Sequence, residues 1–128
     1  MDGSIGDKNG IYIAYPTSSK LKSIYRAKNY KTKVNEKHTK VGIASNSFSS
    51  RKGVYISNFD NKVIFKPIAI IPNNQLEIAE KKVLKVMGRR FHKVGHSREW
   101  FQTANRQKVI DIVFNVLDMS GLDYERIG

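Results

Sequence analysis

The chain has 128 residues, 40% of them hydrophobic, and no cysteine; this is enough for one domain with a core and excludes disulfide scaffolds and thiolate metal sites. Twenty-three lysines and arginines against 11 aspartates and glutamates give a net charge of +12, a balance that points to a polyanion such as nucleic acid as partner. The longest aliphatic run, Ile68-Ala69-Ile70-Ile71, is far short of the roughly 20 residues of a membrane span, and Met1-Asp2-Gly3-Ser4 has no signal-peptide character, so no membrane and a cytoplasmic location are expected.

Residues 1–8 are glycine-rich and polar and read as a flexible leader. Asn9-Gly10 then opens a stretch that closes at Pro16 and reads as a strand, with Ile11 and Ile13 on one face and Tyr12 and Ala14 on the other. Lys40-Val41-Gly42-Ile43-Ala44 alternates in the same way. If the two strands pair with their isoleucine faces on one core, Tyr12 and Lys40 project together from the opposite face. Between them, residues 16–39 hold seven lysines and arginines and one glutamate. This segment reads either as a solvated loop or as a basic surface that includes a hairpin turning at Asn35-Glu36, between Tyr30–Val34 and Lys37–Val41. Its interleaved tyrosines suit a phosphate backbone and unstacked bases.

Asn46 or Ser47 is placed to cap a short helical turn that presents Arg51 and ends at Gly53. Val54–Ser57 is a short apolar run, and a third strand is expected over Lys62–Ile71, with Pro67 marking an edge or a bulge. A helix over Gln75–Met87, stopped by Gly88, buries Leu76, Ala79, Val83, Leu84, Val86 and Met87 along one stripe. Glu80 falls inside that stripe. There it has to be paired with a cation such as Arg51 or Lys40, metal-bound or protonated. Arg89, Arg90, His92, Lys93, His96 and Arg98 form a basic loop, and Gly95 argues against His92 and His96 as a helical metal pair. A last helix from near Thr103 to Met119 carries Val109, Ile112, Val113, Val116 and Leu117 as its inner stripe and an acidic outer face.

Five of these elements, in order, resemble the GIY-YIG endonuclease superfamily: Gly10-Ile11-Tyr12, Lys40-Val41-Gly42, Arg51, Glu80 and Glu99-Trp100-Phe101. The closest branch has a lysine in place of the first tyrosine of the second motif. Residues 13–39 are longer than is usual between the two motifs and read as an insertion. The asparagine that many members carry after the glutamate helix has only Asn105 as a nearby counterpart. The resemblance implies an α+β fold with a small three-stranded antiparallel sheet flanked by helices. It implies a core over 9–102, a basic insertion at about 16–39, and a C-terminal helix and tail at 103–128.

The implied activity is metal-dependent hydrolysis of DNA phosphodiesters. Tyr12 would act as general base or water-orienting group, with its pKa lowered by Lys40. Arg51 would neutralise the phosphate, and Glu80 would hold one Mg²⁺ or Mn²⁺. Lys28, Lys31, Lys33, Lys52, Arg89 and Arg90 are the expected DNA-binding cations. The alternative is a non-catalytic nucleic-acid-binding module that keeps the same fold.

Overall fold

β1 (Gly10–Pro16) is the centre of the sheet, and all but one of its residues are buried. The computed structural model describes residues 3–25, 31–95 and 97–127. Antiparallel to β1 on one side runs β4 (Thr39–Ala44), and on the other β5 (Val63–Ile70). Two short edge strands, β6 (Trp100–Phe101) and β7 (Glu125–Arg126), complete the order β6-β4-β1-β5-β7. The expected three-stranded sheet is therefore corrected to five strands in an α+β fold. The two additions are two residues each, too short to give a periodic signal in the sequence.

β2 (Lys22–Tyr25) and β3 (Lys31–Val34) form a separate two-stranded sheet. This replaces the hairpin expected between β3 and the approach to β4. The physical reason is that β4 has both edges taken at that end, by β1 and by β6 at Thr39 and Lys40. Residues 35–38 instead turn the chain, with the His38 N–H donating to the Asn35 carbonyl.

The alternation along β1 divides the interior in two. Ile11, Ile13 and Val41 face α3 (Leu76–Arg90) and α4 (Arg106–Ser120), where Leu76, Val83, Val113 and Leu117 fill the larger core. Tyr12, Ala14 and Ala44 face α2 (Phe48–Asn58), whose Phe48 and Tyr55 close a second core with Phe59 and Trp100. Val34 of the small sheet packs into this second core.

Several expected boundaries move. α2 runs through Gly53 to Asn58, and α3 runs past Gly88 to Arg90. One glycine costs a helix only about 1 kcal/mol relative to alanine, less than burying the aromatic residues on either side recovers. Within the segment read as a leader, Gly3–Gly6 forms a short helix, α1, against α2, with Ile5 at the second core. Pro67 sits where the β1–β5 register shifts between Ile11 and Tyr12, the bulge that its missing N–H requires. Among the described residues no helix is long and apolar enough to cross a membrane.

Candidate active site

Two glycines shape the site. A Cβ on Gly10 would lie 1.8 Å from the Ala69 carbonyl oxygen, so β1 and β5 approach closely only because Gly10 has none. Gly42 stands opposite Tyr12 in the β1–β4 register. A Cβ there would lie 2.5 Å from the Tyr12 hydroxyl and 2.7 Å from its ring, so the phenol lies across Gly42.

Tyr12 does not project from an open face. It is 0% exposed, roofed by α2. Its hydroxyl is 2.7 Å from that of Tyr55 and accepts from Arg51 Nε at 3.3 Å. Arg51 and Tyr55 are four residues apart on α2, one above the other on a single face. The two phenol rings meet edge to face, 5.6 Å between centroids. Lys40 Nζ lies 5.4 Å from the centre of the Tyr55 ring and 2.9 Å from Glu99 Oε2.

The electrostatics correct one expectation. Burial raises the Tyr12 phenol above its ordinary value, and Lys40 only partly offsets this. Tyr55 is raised as well, again chiefly by burial. Both phenols therefore hold their protons near neutral pH. Tyr12 is a hydrogen-bonding group here, bonded to Tyr55 and Arg51. The hydrogen bond to Tyr12 in turn holds the charge on Arg51.

Glu80 is half-buried on α3. Burial raises its carboxyl first, then the negative charge of Glu99, while Lys40 and Arg51 pull it down. Glu80 thus lies within electrostatic reach of both cations and of the second acid, and it also acts on Tyr55. Of the four residues proposed from sequence, Tyr12 and Arg51 are in contact, Lys40 meets Tyr55 and Glu99, and Glu80 acts on the group electrostatically. Lys40, one of the two cations weighed as a partner of Glu80, pairs with Glu99.

Tyr55 and Glu99 as members of the cluster were not singled out from sequence. The four-residue spacing from Arg51 would have found Tyr55 had Gly53 not suggested a helix end. Glu99 was visible only as part of the Glu-Trp-Phe triplet. Its position follows from pairing: β6 aligns Trp100 with Lys40, and the Glu99 carbonyl accepts from the Val41 N–H.

Of the expected DNA-binding cations, Lys33, Arg89 and Arg90 are exposed and Lys52 is half-buried beside Arg51. Lys31 lies in β3, and Lys28 falls outside the described residues, as does His96. Asn105 caps α4, its side chain accepting from the Lys108 N–H, and so has a structural role.

Among the described residues no group of three or more His, Cys, Asp or Glu side chains is placed to hold a metal. The donors present fit a hard cation that keeps most of its waters and uses one or two carboxylates, as Mg²⁺ and Mn²⁺ do, and not a zinc site with three or four protein ligands. A carboxyl raised by burial and by a neighbouring carboxylate is one that such a cation relieves. No family model, curated protein or solved structure matches this chain.

Proposed function

We propose that the protein is a metal-dependent endonuclease that hydrolyses DNA phosphodiesters. The observation that carries this reading is the Arg51–Tyr12–Tyr55 hydrogen-bonded chain, with Lys40, Glu99 and the half-buried Glu80 around it. The motif resemblance to the GIY-YIG superfamily and the charge of +12 support it independently.

Hydrolysis requires water to attack phosphorus while the bond to the leaving oxygen breaks, and negative charge builds on the non-bridging oxygens. Arg51 is exposed, already oriented by Tyr12, and supplies a fixed cation for that charge. The Tyr12 hydroxyl, proton retained and buried beneath α2, fixes the Arg51 guanidinium through the hydrogen bond it accepts. Lys40 holds Glu99 in place beside the phosphate site. Glu80, with Glu99 nearby, would hold Mg²⁺ or Mn²⁺. When bound, the metal supplies Lewis acidity toward the phosphate and the water.

The test is cleavage of mixed-sequence plasmid in each metal, with binding measured in Ca²⁺. Glu80→Gln abolishes cutting and leaves DNA affinity unchanged or raised, because a negative charge facing the phosphate is gone. Tyr12→Phe slows the chemical step by about 10²-fold without weakening binding. Arg51→Ala lowers both, the rate by about 10³-fold. Cutting that survives Glu80→Gln would sink the reading. One observation favours a second reading, a nucleic-acid-binding module: Lys40 is already paired with Glu99. Wild-type protein that binds DNA but never cuts, in any metal, would establish it.

A further inference from the structure

Two cavities, the first of them lined by Arg51, share Ile43 and Ser45 as a common wall. One, of about 220 Å³, lies against the start of α2, with Asn46, Ser47, Ser50 and Arg51 around it. The other, of about 500 Å³, continues to Asn73, Asn74 and Glu77 at the start of α3. Together they form a groove between the two helices, leading away from the candidate active site along the outer edge of β4.

The composition of this groove departs from that of the chain. Among the described residues, Arg51 is the only lysine or arginine that lines it. The walls are otherwise serine, asparagine and aliphatic side chains, with Glu77 at the far end. Lysine-free walls are poorly suited to gripping a run of phosphates. Neutral donors and acceptors suit base edges and sugars, asparagine pairing with adenine and serine with any base. Asn46, Asn73 and Asn74 are all exposed.

The backbone adds a further group. Val41 donates its N–H outward to Glu99, away from β1. In an antiparallel ladder the direction alternates, so Ile43 presents its N–H and C=O along that same outer edge. The pairing with β6 lies at Thr39 and Lys40, and Ile43, farther along this edge, lines the groove.

We infer that this groove receives the nucleotide adjoining the phosphate at Arg51, and that Asn46 and Asn74 read its base. The inference rests on the endonuclease reading above and deepens it: the enzyme selects its cutting position by a neutral pocket beside the arginine, while affinity comes from lysines elsewhere.

The experiment is cleavage in Mg²⁺ of a duplex pool with randomised positions, followed by sequencing of the new ends, for wild type, the double variant Asn46→Ala/Asn74→Ala, and Ser45→Trp, which fills the shared wall. Wild-type ends should show a base bias within about two positions of the cut, each good side-chain contact discriminating by about tenfold. The double variant should lose that bias, its kcat/KM on the favoured sequence falling about tenfold toward that on the disfavoured one. Its salt dependence of binding in Ca²⁺ should not change, because no phosphate contact has been removed. Ser45→Trp should lower kcat/KM by about tenfold or more with an unaltered melting curve. Cutting with unbiased ends, or a bias that survives the double variant, overturns the inference and leaves the endonuclease reading standing. A wild-type protein that cuts no DNA overturns both.

Discussion

Tyr12, Tyr55 and Glu80 are all held in their uncharged direction by burial, and the consequences differ for each. The phenols remain hydrogen-bonding groups at any pH near neutrality. Glu80, raised by burial and by Glu99, binds its proton more tightly in the folded protein than in the unfolded chain. It therefore favours folding below the ordinary carboxylate range and opposes it as pH rises through its folded value. Near pH 7 its charge is a cost. Glu80→Gln should raise stability by about 0.5 kcal/mol, most of the effect being screened by solvent, in the same variant that loses cleavage. Melting followed against added Mn²⁺ gives a readout independent of activity. Wild type should gain stability with metal, as any ligand of the native state requires, and the variant should not. Equal metal stabilisation of the two would remove Glu80 as the ligand.

At the scale of elements, α2 brings the site together, and Gly53 is its weakest position. Nothing lies within 4 Å of a Cβ built on Gly53, and the residue is exposed in mid-helix. Gly53→Ala should therefore stabilise the protein by about 1 kcal/mol, seen as a rise in melting temperature. A loss of stability would show that the helix is not continuous there. The same glycine explains what the sequence hid. The central strands could be read from alternation, and the stripe of α4 from its spacing, because each repeats over several residues. Tyr55 could not be placed because glycine weighs toward a helix end locally, whereas the burial of Phe48, Tyr55 and Phe59 that overrides it is a tertiary effect. β6 and β7 were illegible for a related reason: two residues pair only because a longer strand already offers an edge. The loop after β3 is a third case. There Arg106 of α4 stacks over Tyr15 at 4.0 Å and donates to the carbonyls of Glu36 and His38, a link across about seventy residues. His38 Nδ1 accepts from the Asn35 N–H, which requires a neutral imidazole. Burial, then Arg106 and Lys37, hold its pKa below the ordinary value. The folded state thus binds this proton less tightly than the unfolded chain. The stability it contributes is complete above about pH 6.5 and is lost as pH falls through the lower folded value. Amide exchange at Asn35 should accelerate over that acid window beyond the rate change seen in His38→Gln.

Across the whole molecule, charge is spread unevenly along the chain. Residues 16–66 hold twelve lysines and arginines with only Glu36 and Asp60, and within them α2 and the β2–β3 sheet cover the Tyr12 face. The last twenty residues hold four acids and one arginine, and this end packs on the opposite core through Leu122 and Tyr124 and on the Tyr12 side through Ile127. A DNA backbone brought to Arg51 would meet its neighbour Lys52, and Lys33 is exposed on the small sheet that covers the Tyr12 face. If net charge alone attracted DNA, any two-charge change would weaken binding equally. If this face makes the contacts, position decides. Lys33→Gln with Lys52→Gln removes two positive charges from it. Gln107→Glu with Asn115→Glu changes the net charge by the same amount at exposed positions of α4. Each phosphate contact contributes about −0.9 to the slope of log affinity against log salt. The lysine pair should therefore flatten that slope by about two units, and the α4 pair should leave it near the wild-type value. Both slopes are read from binding to a duplex at several salt concentrations in Ca²⁺, where cutting does not interfere. Equal flattening by the two pairs would mean that the chain meets DNA through its overall charge, and the orientation that brings a phosphate to Arg51 would lose its support.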